Sequence, residues 1–407
     1  MPPNLPDGDP APPSGELPAS ALATLGDRAF GIYLHVPYCA LRCGYCDFNT
    51  YALPESVATG PGAPERYATA VARELDVAAR VLGSAAPPVD TIFVGGGTPT
   101  ILAPETLTGL LRGIPDRFDL RPDAEVTVEA NPDTMTPALA DILAAAGCTR
   151  VSMGMQSADP RVLAVLERTH EPSHVAAAVR ALRGAGLAVS VDLIYGTPGE
   201  STTDWMRTVR AALDLEPDHV SAYALVVEDG TRLAGRVRRG ELAAPDDDDA
   251  ATKYEMADDL FAAAGYTWYE VSNWARGPEH VCRHNLGYWS DGDWWGLGPG
   301  AHSHVGEVRW WNVKHPSVYA DRLSARLSPA AGRETLTPEQ RYAERMLLGA
   351  RVAAGIPLAE LSATGRAAVA GLVADGMIDG PSAITGRRVV LTRRGRLLAD
   401  AVVRRLT

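Results

Sequence analysis

Six times between Phe30 and Val226 a short run rich in Val, Ile or Tyr is met, with longer helix-like runs between, and this alternation limits the fold more than any other feature. The β-like runs are Phe30–Val36, Asp90–Val94, Glu125–Ala130, Arg150–Met155, Ala188–Tyr195 and Val220–Val226. The helical candidates are Glu65–Leu82, Pro104–Gly113, Pro137–Ala146, His174–Gly184 and Thr202–Leu215. Repeated β-then-α units build a parallel sheet, open or closed into a barrel. Barrels of this kind gather their chemistry at the C-terminal ends of the strands. Polar residues cluster at those ends here: Gly95-Gly-Gly97-Thr98, Glu129-Ala-Asn131-Pro132, Gln156-Ser157, Asp192 and Tyr223. One shared site is therefore expected there.

Directly after the first β-like run comes Cys39-Ala-Leu-Arg-Cys43-Gly-Tyr-Cys46, which holds three of the five cysteines in the spacing C-x3-C-x2-C. Pro37, Arg42 and Gly44 make this stretch a loop rather than core. An odd cysteine count and the lack of a secretory signal speak against a disulfide. Thiolates bind soft centres. Structural zinc, with His35 or a distant histidine as fourth ligand, stays open. So does a four-iron cluster, which normally takes four thiolates and would here keep one iron free for something that is not protein.

Tyr33-Leu-His-Val-Pro-Tyr-Cys39-x3-Cys43-x-Tyr-Cys46-Asp-Phe48 resembles the cluster motif of radical S-adenosylmethionine (SAM) proteins. The branch it resembles holds oxygen-independent coproporphyrinogen III oxidase and the HemW haem chaperones, and the likeness runs from about residue 30 to the C-terminus. It implies an α/β fold, an incomplete (β/α)6 TIM-like radical SAM barrel. It also implies a [4Fe-4S] cluster on Cys39, Cys43 and Cys46 whose remaining iron is chelated by SAM. Tyr33, Gly97, Thr98, Glu129, Gln156, Arg168 and Asp192 match the positions that bind SAM in the family. Each has an ordinary reading beside this one: a tight turn for the glycines, a turn cap for Glu129, a rim or solvated residue for Gln156 and Arg168, a partnered buried acid for Asp192.

The oxidase pattern continues with a fourth cysteine two places after the third, and this chain has Phe48 there, which matches the HemW branch. The resemblance thus implies a haem chaperone that passes haem to acceptor haemoproteins, with an electron donor for its cluster. Oxidative decarboxylation of coproporphyrinogen III is the alternative, so whether the chain is an enzyme stays open. His284-Asn285-x-x-Tyr288-Trp289 resembles the H-N-x-x-Y-W motif that the HemW family links to haem. A neutral imidazole is a good axial iron ligand, which makes His284 the expected haem ligand. Cys282, His302 and His304 are weaker candidates on ligand chemistry alone, and hydrogen-bonded packing is the plain alternative. Cys148 reads as a small core residue and Asp246–Asp249 as a solvated helix start.

Four regions are expected. Residues 1–28, rich in Pro, Ala, Gly and Asp, read as a disordered arm; 29–235 as the barrel; 236–335 as an extension carrying the H-N-x-x-Y-W segment; and 336–407 as a winged-helix-like domain. In the last, Gln340–Ala353 and Thr364–Asp375 read as helices, Arg388–Leu391 as β-like and the final helix as running through Leu398. Its Arg387, Arg388, Arg393, Arg394 and Arg396 read as a solvated wing, since a net charge of -12 excludes a general nucleic-acid binder. Leu53–Pro64 reads as an exposed loop. No apolar stretch spans a bilayer, so a cytoplasmic protein is expected, with peripheral membrane contact left open.

Overall fold

A computed structural model describes residues 8–53 and 62–407 of the chain. Parallel strands β1 (Phe30–Val36), β2 (Val89–Gly96), β3 (Leu120–Ala130), β4 (Arg150–Gln156), β5 (Ala188–Tyr195) and β6 (His219–Ala224) lie side by side in chain order. Helices Ala63–Leu82, Pro104–Gly113, Pro137–Ala145, Pro172–Gly184 and Thr202–Asp214 connect them. The sheet does not close. Beyond β6 lie the short antiparallel strands β7 (Thr267–Glu270) and β8 (Asn273–Ala275), with β8 the nearer. On the other side β9 (Asp293–Leu297) runs parallel to β1, and β10 (His302–Val305), β11 (Val308–Asn312) and β12 (Ala330–Thr335) follow antiparallel. The result is the incomplete six-unit barrel with added strands at both edges.

The two faces of each barrel strand differ in chemistry. Phe30, Ile32, Leu34 and Val36 of β1 are buried in the main apolar core, as are Val126 and Val128 of β3 and Val189 and Val191 of β5. The alternating residues are polar or aromatic: Tyr33 and His35, Glu125 and Glu129, Arg150 and Ser152, Ser190 and Asp192, His219 and Ser221. The strand register sets several of them side by side, with Glu129 opposite Ser152, Ser152 opposite Ser190 and Asp192 opposite Ser221. Closed barrels usually fill this face with layers of branched apolar side chains. Here the inner face surrounds a cavity.

Residues 8–28 differ from the expected disordered arm, while residues 1–7 lie outside the described residues. The N–H of Asp9 donates to the Arg333 carbonyl at 2.8 Å, and that of Arg333 returns a bond to Asp9 at 2.9 Å. Ser328 N–H donates to the Pro13 carbonyl at 2.7 Å, and Ala21, in a helical turn over Ala19–Leu22, is fully buried. Strand β12 ends the sheet with unpaired backbone groups. The N-terminal segment covers them, so an edge rather than its own periodicity orders it. Most of the expected loop Leu53–Pro64 lies outside the described residues, and a helix begins at Ala63.

The C-terminal region has its own core around Met346, Ile356, Leu372, Val389 and Val402, with helices Pro338–Gly349 and Ala363–Ala374 and a two-stranded pairing of Ile356–Pro357 with Arg388–Val389. Its end is not one helix through Leu398 but two, Arg393–Leu397 and Ala399–Leu406. Arg393 and Arg396 are not part of a solvated wing. Arg396 pairs with Asp258 at 2.8 Å and its guanidinium lies 4.4 Å from the Trp268 ring centroid, while Arg393 reaches Asp258 at 3.0 Å. Arg351–Ala353 adds backbone bonds to the β7 edge, to Val271 N–H at 3.1 Å and to the Tyr269 carbonyl at 2.8 Å. Asp246 caps the helix Asp247–Ala263, as an acidic helix start would, but Asp249 also accepts from the fully buried Lys253 at 2.6 Å. Among the described residues no helix is long and apolar enough to cross a membrane.

Candidate cofactor site

The cavity has a volume of about 470 Å³ and is lined by every site residue expected from the sequence: the three loop cysteines, Tyr33, Gly97, Thr98, Glu129, Gln156, Arg168, Asp192 and His284. The cysteine loop is anchored at both ends. Tyr51 N–H donates to the Pro37 carbonyl at 2.7 Å and Leu53 N–H to the Cys39 carbonyl at 3.0 Å. From β2, Gly97 N–H donates to the Val36 carbonyl at 2.8 Å and Thr98 N–H to that of Tyr38 at 2.7 Å. The backbones run so close that a Cβ on Gly97 would collide with the Tyr38 carbonyl. This close approach is the physical need behind the glycine run.

Cys39, Cys43 and Cys46 are all free thiols. Burial first, and then the neighbouring Cys46 sulfur, pushes the Cys39 thiol up to about 11, and burial raises Cys46. With Cys39 and Cys46 both disfavouring ionisation, the loop needs a positive centre before its sulfurs can all be thiolates, and iron supplies one. Among the described residues no group of three or more His, Cys, Asp or Glu side chains stands close enough to hold one metal ion. A four-iron cluster carries a separate iron for each thiolate, so this donor set fits the cluster.

Two acids dominate the inner wall. Glu129 accepts from Gly96 N–H at 3.0 Å; burial, then the nearby Asp192 charge, pushes its carboxyl up to about 7. Asp192 accepts from Ser152 Oγ at 3.0 Å, and burial pushes it up to about 6. A pair of acids held so reluctantly ionised favours a ligand with positive charge. Gln156 sits at φ +61°, where the pairing of β4 with β5 slips between Gly154 and Gln156. Such a bulge re-aims the side chain. Arg168 donates from Nη2 to Asn131 Oδ1 at 2.8 Å and to the Gly154 carbonyl at 3.0 Å; its Nη1 lies 3.6 Å from Cys43 Sγ. Its buried Nε has no partner.

Tyr33 has a fixed hydrogen-bond sense. His35 Nε2 faces the Asn49 carbonyl at 2.9 Å, and a carbonyl only accepts, so Nε2 carries the ring proton. His35 Nδ1, 2.9 Å from the Tyr33 hydroxyl, is then the acceptor. Tyr33 donates to it and keeps its oxygen lone pairs for a ligand.

His284 is the second residue of the helix Arg283–Trp289, whose entry is capped from the barrel. Glu125 of β3 accepts from the N–H groups of Arg283 at 3.0 Å and His284 at 3.1 Å and pairs with Arg150 at 3.1 Å. The imidazole stacks on Phe93, centroids 5.2 Å apart. Both its nitrogens are engaged: Nδ1 with Thr91 Oγ1 and Nε2 with the Tyr288 hydroxyl, each at 2.8 Å. Burial holds the ring down at about 3, so it is neutral. Of the weaker candidates only Cys282 lines the cavity, and its thiol is 3.5 Å from Glu125. His302 lies on the exterior against Trp311, and His304 bonds the Gly292 carbonyl at 2.9 Å. Cys148 is a core residue, its thiol 3.1 Å from the Arg150 carbonyl.

Glu125, Arg150, Ser152, Ser190 and His219 were absent from the sequence expectation, yet all but Glu125 line the cavity. Strand alternation could have found them. Glu125 falls on the inner face with Glu129, and Ser190 with Asp192.

The Radical SAM superfamily matches residues 33–212 of the chain. The heme chaperone HemW of Mycobacterium tuberculosis H37Rv is 54% identical over 392 residues, covering 96% of this chain and 97% of its own. That of Bacillus subtilis is 33% identical, covering 80% and 84%. Among solved structures, coproporphyrinogen III oxidase (HemN) from Escherichia coli superposes with a TM-score of 0.80 at 20% identity, covering 95% of this chain and 92% of its own, a likeness of fold. This chain belongs to the radical SAM superfamily and, within it, to the HemW family.

Proposed function

We propose that this chain is a haem chaperone that holds haem, a [4Fe-4S] cluster and SAM and passes haem to acceptor haemoproteins, respiratory enzymes among them. The observation that carries this reading is the 54% identity, over nearly the full length of both chains, to a protein named heme chaperone HemW. In this proposal Cys39, Cys43 and Cys46 hold the cluster; Tyr33, Gly97, Thr98, Glu129, Gln156, Arg168 and Asp192 hold SAM; and His284 offers the haem ligand. When bound, cluster and SAM supply one-electron chemistry. The protein's part is to orient and to exclude water. Tyr33 turns an acceptor to the ligand, Glu129 and Asp192 give up protons as a cation settles beside them, and Arg168 fixes the loop carrying Asn131. His284 reaches a haem iron only after the Tyr288 hydroxyl turns away. The protein works in the cytoplasm and takes electrons for its cluster from a separate donor.

The fold likeness to the oxidase supports a second reading, turnover of coproporphyrinogen III. Against it stands Phe48, exposed beside the cavity where the oxidase pattern has its fourth cysteine. Anaerobic reconstitution, then titration with haemin and separate incubation with coproporphyrinogen III, SAM and a reductant, tests both. Stoichiometric haem binding lost in His284→Ala, with no protoporphyrinogen formed, is the result expected. Turnover dependent on Cys39, Cys43 and Cys46 would establish the oxidase instead.

A further inference from the structure

Three residues past Cys46 the chain reaches Asn49, a buried residue whose side-chain amide and backbone carbonyl are all hydrogen-bonded, three of these bonds to segments distant in sequence or on another strand. Its Nδ2 donates to the Pro299 carbonyl at 2.9 Å and to the Lys314 carbonyl at 2.9 Å. Its Oδ1 accepts from the Tyr51 hydroxyl at 3.3 Å, and its own carbonyl accepts from His35 Nε2 at 2.9 Å. Pro299 belongs to the turn between β9 and β10, and Lys314 follows β11. Asn49 therefore joins the cysteine loop to strands that lie outside the six-unit barrel.

The partner turn is itself held rigidly. Gly298 N–H donates to the buried Glu74 carboxylate at 2.8 Å, and Asn312 Nδ2 bonds both Glu74, at 2.7 Å, and the Gly298 carbonyl, at 2.9 Å. Glu74 sits on the helix Ala63–Leu82, so the turn is fixed from two directions. The next glycine, Gly300, has φ +76°, and a Cβ there would lie 2.6 Å from Asn49 Nδ2. No side chain fits between turn and amide.

We propose that Asn49 is a positioning residue for the cluster. By bolting the exit of the cysteine loop to the Pro299 turn, it makes the β9–β10 extension, and not the barrel alone, hold Cys43 and Cys46 toward the cavity. A carbonyl cannot hydrogen-bond a carboxylate, so Asn49→Asp removes both donations at constant shape and sets acceptor against acceptor. The Gly296–Gly300 segment thereby has a use that needs neither of its flanking imidazoles.

The inference rests on the assignment of a cluster to Cys39, Cys43 and Cys46, and the experiment separates the two. Wild type, Asn49→Asp and Gly300→Ala are reconstituted anaerobically with limiting iron and sulfide. Bound iron and the electron paramagnetic resonance of the reduced cluster are read with and without SAM. In parallel the full-length cluster-free proteins are alkylated with iodoacetamide, following Cys43 and Cys46 by peptide mass. Both variants are expected to hold less iron by about five-fold, the factor one net hydrogen bond commands, and to alkylate faster by a similar factor. Their far-UV circular dichroism is expected to match wild type. Equal iron, an equal SAM-induced spectral change and equal alkylation in wild type and both variants would overturn the proposal. A variant that fails to fold is judged on the other, since Gly300→Ala leaves the amide itself intact. No cluster in wild type would overturn the cluster assignment, and this proposal with it.

Discussion

Glu125 and Arg150 form an ion pair at 3.1 Å with both side chains almost wholly buried, and its carboxylate also receives the first N–H groups of the helix that carries His284. Arg150 in turn donates from Nη2 to the carbonyls of His280 and Val281, at 2.9 and 3.2 Å. The pair is thus a clasp between barrel and extension. Removing one partner strands a charge away from water. Glu125→Gln and Arg150→Met are each expected to destabilise by about 3–5 kcal/mol, and the double variant by much less than their sum. Urea unfolding of the three variants tests this; additive losses would mean the two side chains do not act together.

His284 is a saturated imidazole, which sets a cost on haem ligation that can be measured. With its Nε2 bonded to Tyr288 at 2.8 Å, a haem iron held there as proposed would have to displace a hydroxyl. Tyr288→Phe removes the competitor and is expected to tighten haemin binding about three- to ten-fold, the worth of one neutral hydrogen bond. The ring is already neutral above pH 3 or so, so haemin affinity is expected to show no His284 titration between about pH 5 and 8. Titration of the Soret band in wild type, Tyr288→Phe and His284→Ala decides it. Unchanged affinity in both variants would place the iron elsewhere.

The barrel and the cysteine loop were legible because their signals are local. Phe30–Val36 and Ala188–Tyr195 fall at the expected boundaries, since strands buried between helices and a cavity read as short β-branched runs. The clasp and the saturation of His284 were not. Thr91, the partner of His284, lies 193 residues away in sequence, and a motif names a side chain without naming what occupies its nitrogens. The N-terminal segment failed for a different reason: it is ordered by the open edge of β12, which only the assembled sheet creates. Arg396 read as solvated because its charge is visible in sequence while Asp258 and Trp268 are not adjacent to it.

The paired acids give the cofactor-free protein a defined pH response. Burial raises Glu129 from its usual 4.5 to about 7 and Asp192 from 3.8 to about 6. Between those limits the folded state holds more protons than the unfolded one, so stability falls as pH rises from about 4 to about 7. The loss is complete above the folded values and absent below the unfolded ones. Glu129→Gln is expected to flatten this slope by roughly 1–3 kcal/mol across the window. SAM, a cation at its sulfonium and ammonium, is expected to release protons on binding at pH 6.5. Calorimetry in buffers of different ionisation enthalpy measures that release, and a wild-type slope in Glu129→Gln would exclude the acid as its source.

Arg396 fastens the C-terminal domain through three different contacts. Its Nη2 reaches Asp258 at 2.8 Å, its Nη1 the Tyr254 hydroxyl at 3.1 Å, and its plane lies over Trp268. Asp258, almost buried, also accepts from Trp274 Nε1 at 2.9 Å and pairs with Arg393 at 3.0 Å, so losing the Arg396 guanidinium removes one of its two cationic partners. Arg396→Ala is expected to weaken docking of the domain by about 2–4 kcal/mol. Arg396→Lys should recover only part of this, because an ammonium cannot stack on Trp268 while bonding both Asp258 and Tyr254. The domain has its own apolar core, so the predicted phenotype is undocking rather than unfolding. Hydrogen exchange is expected to speed up at β7 and at Arg351–Ala353, where domain and sheet edge share backbone bonds, while the amides around Leu372 and Val402 keep their protection. Loss of protection in the domain core as well would show that the domain does not stand alone.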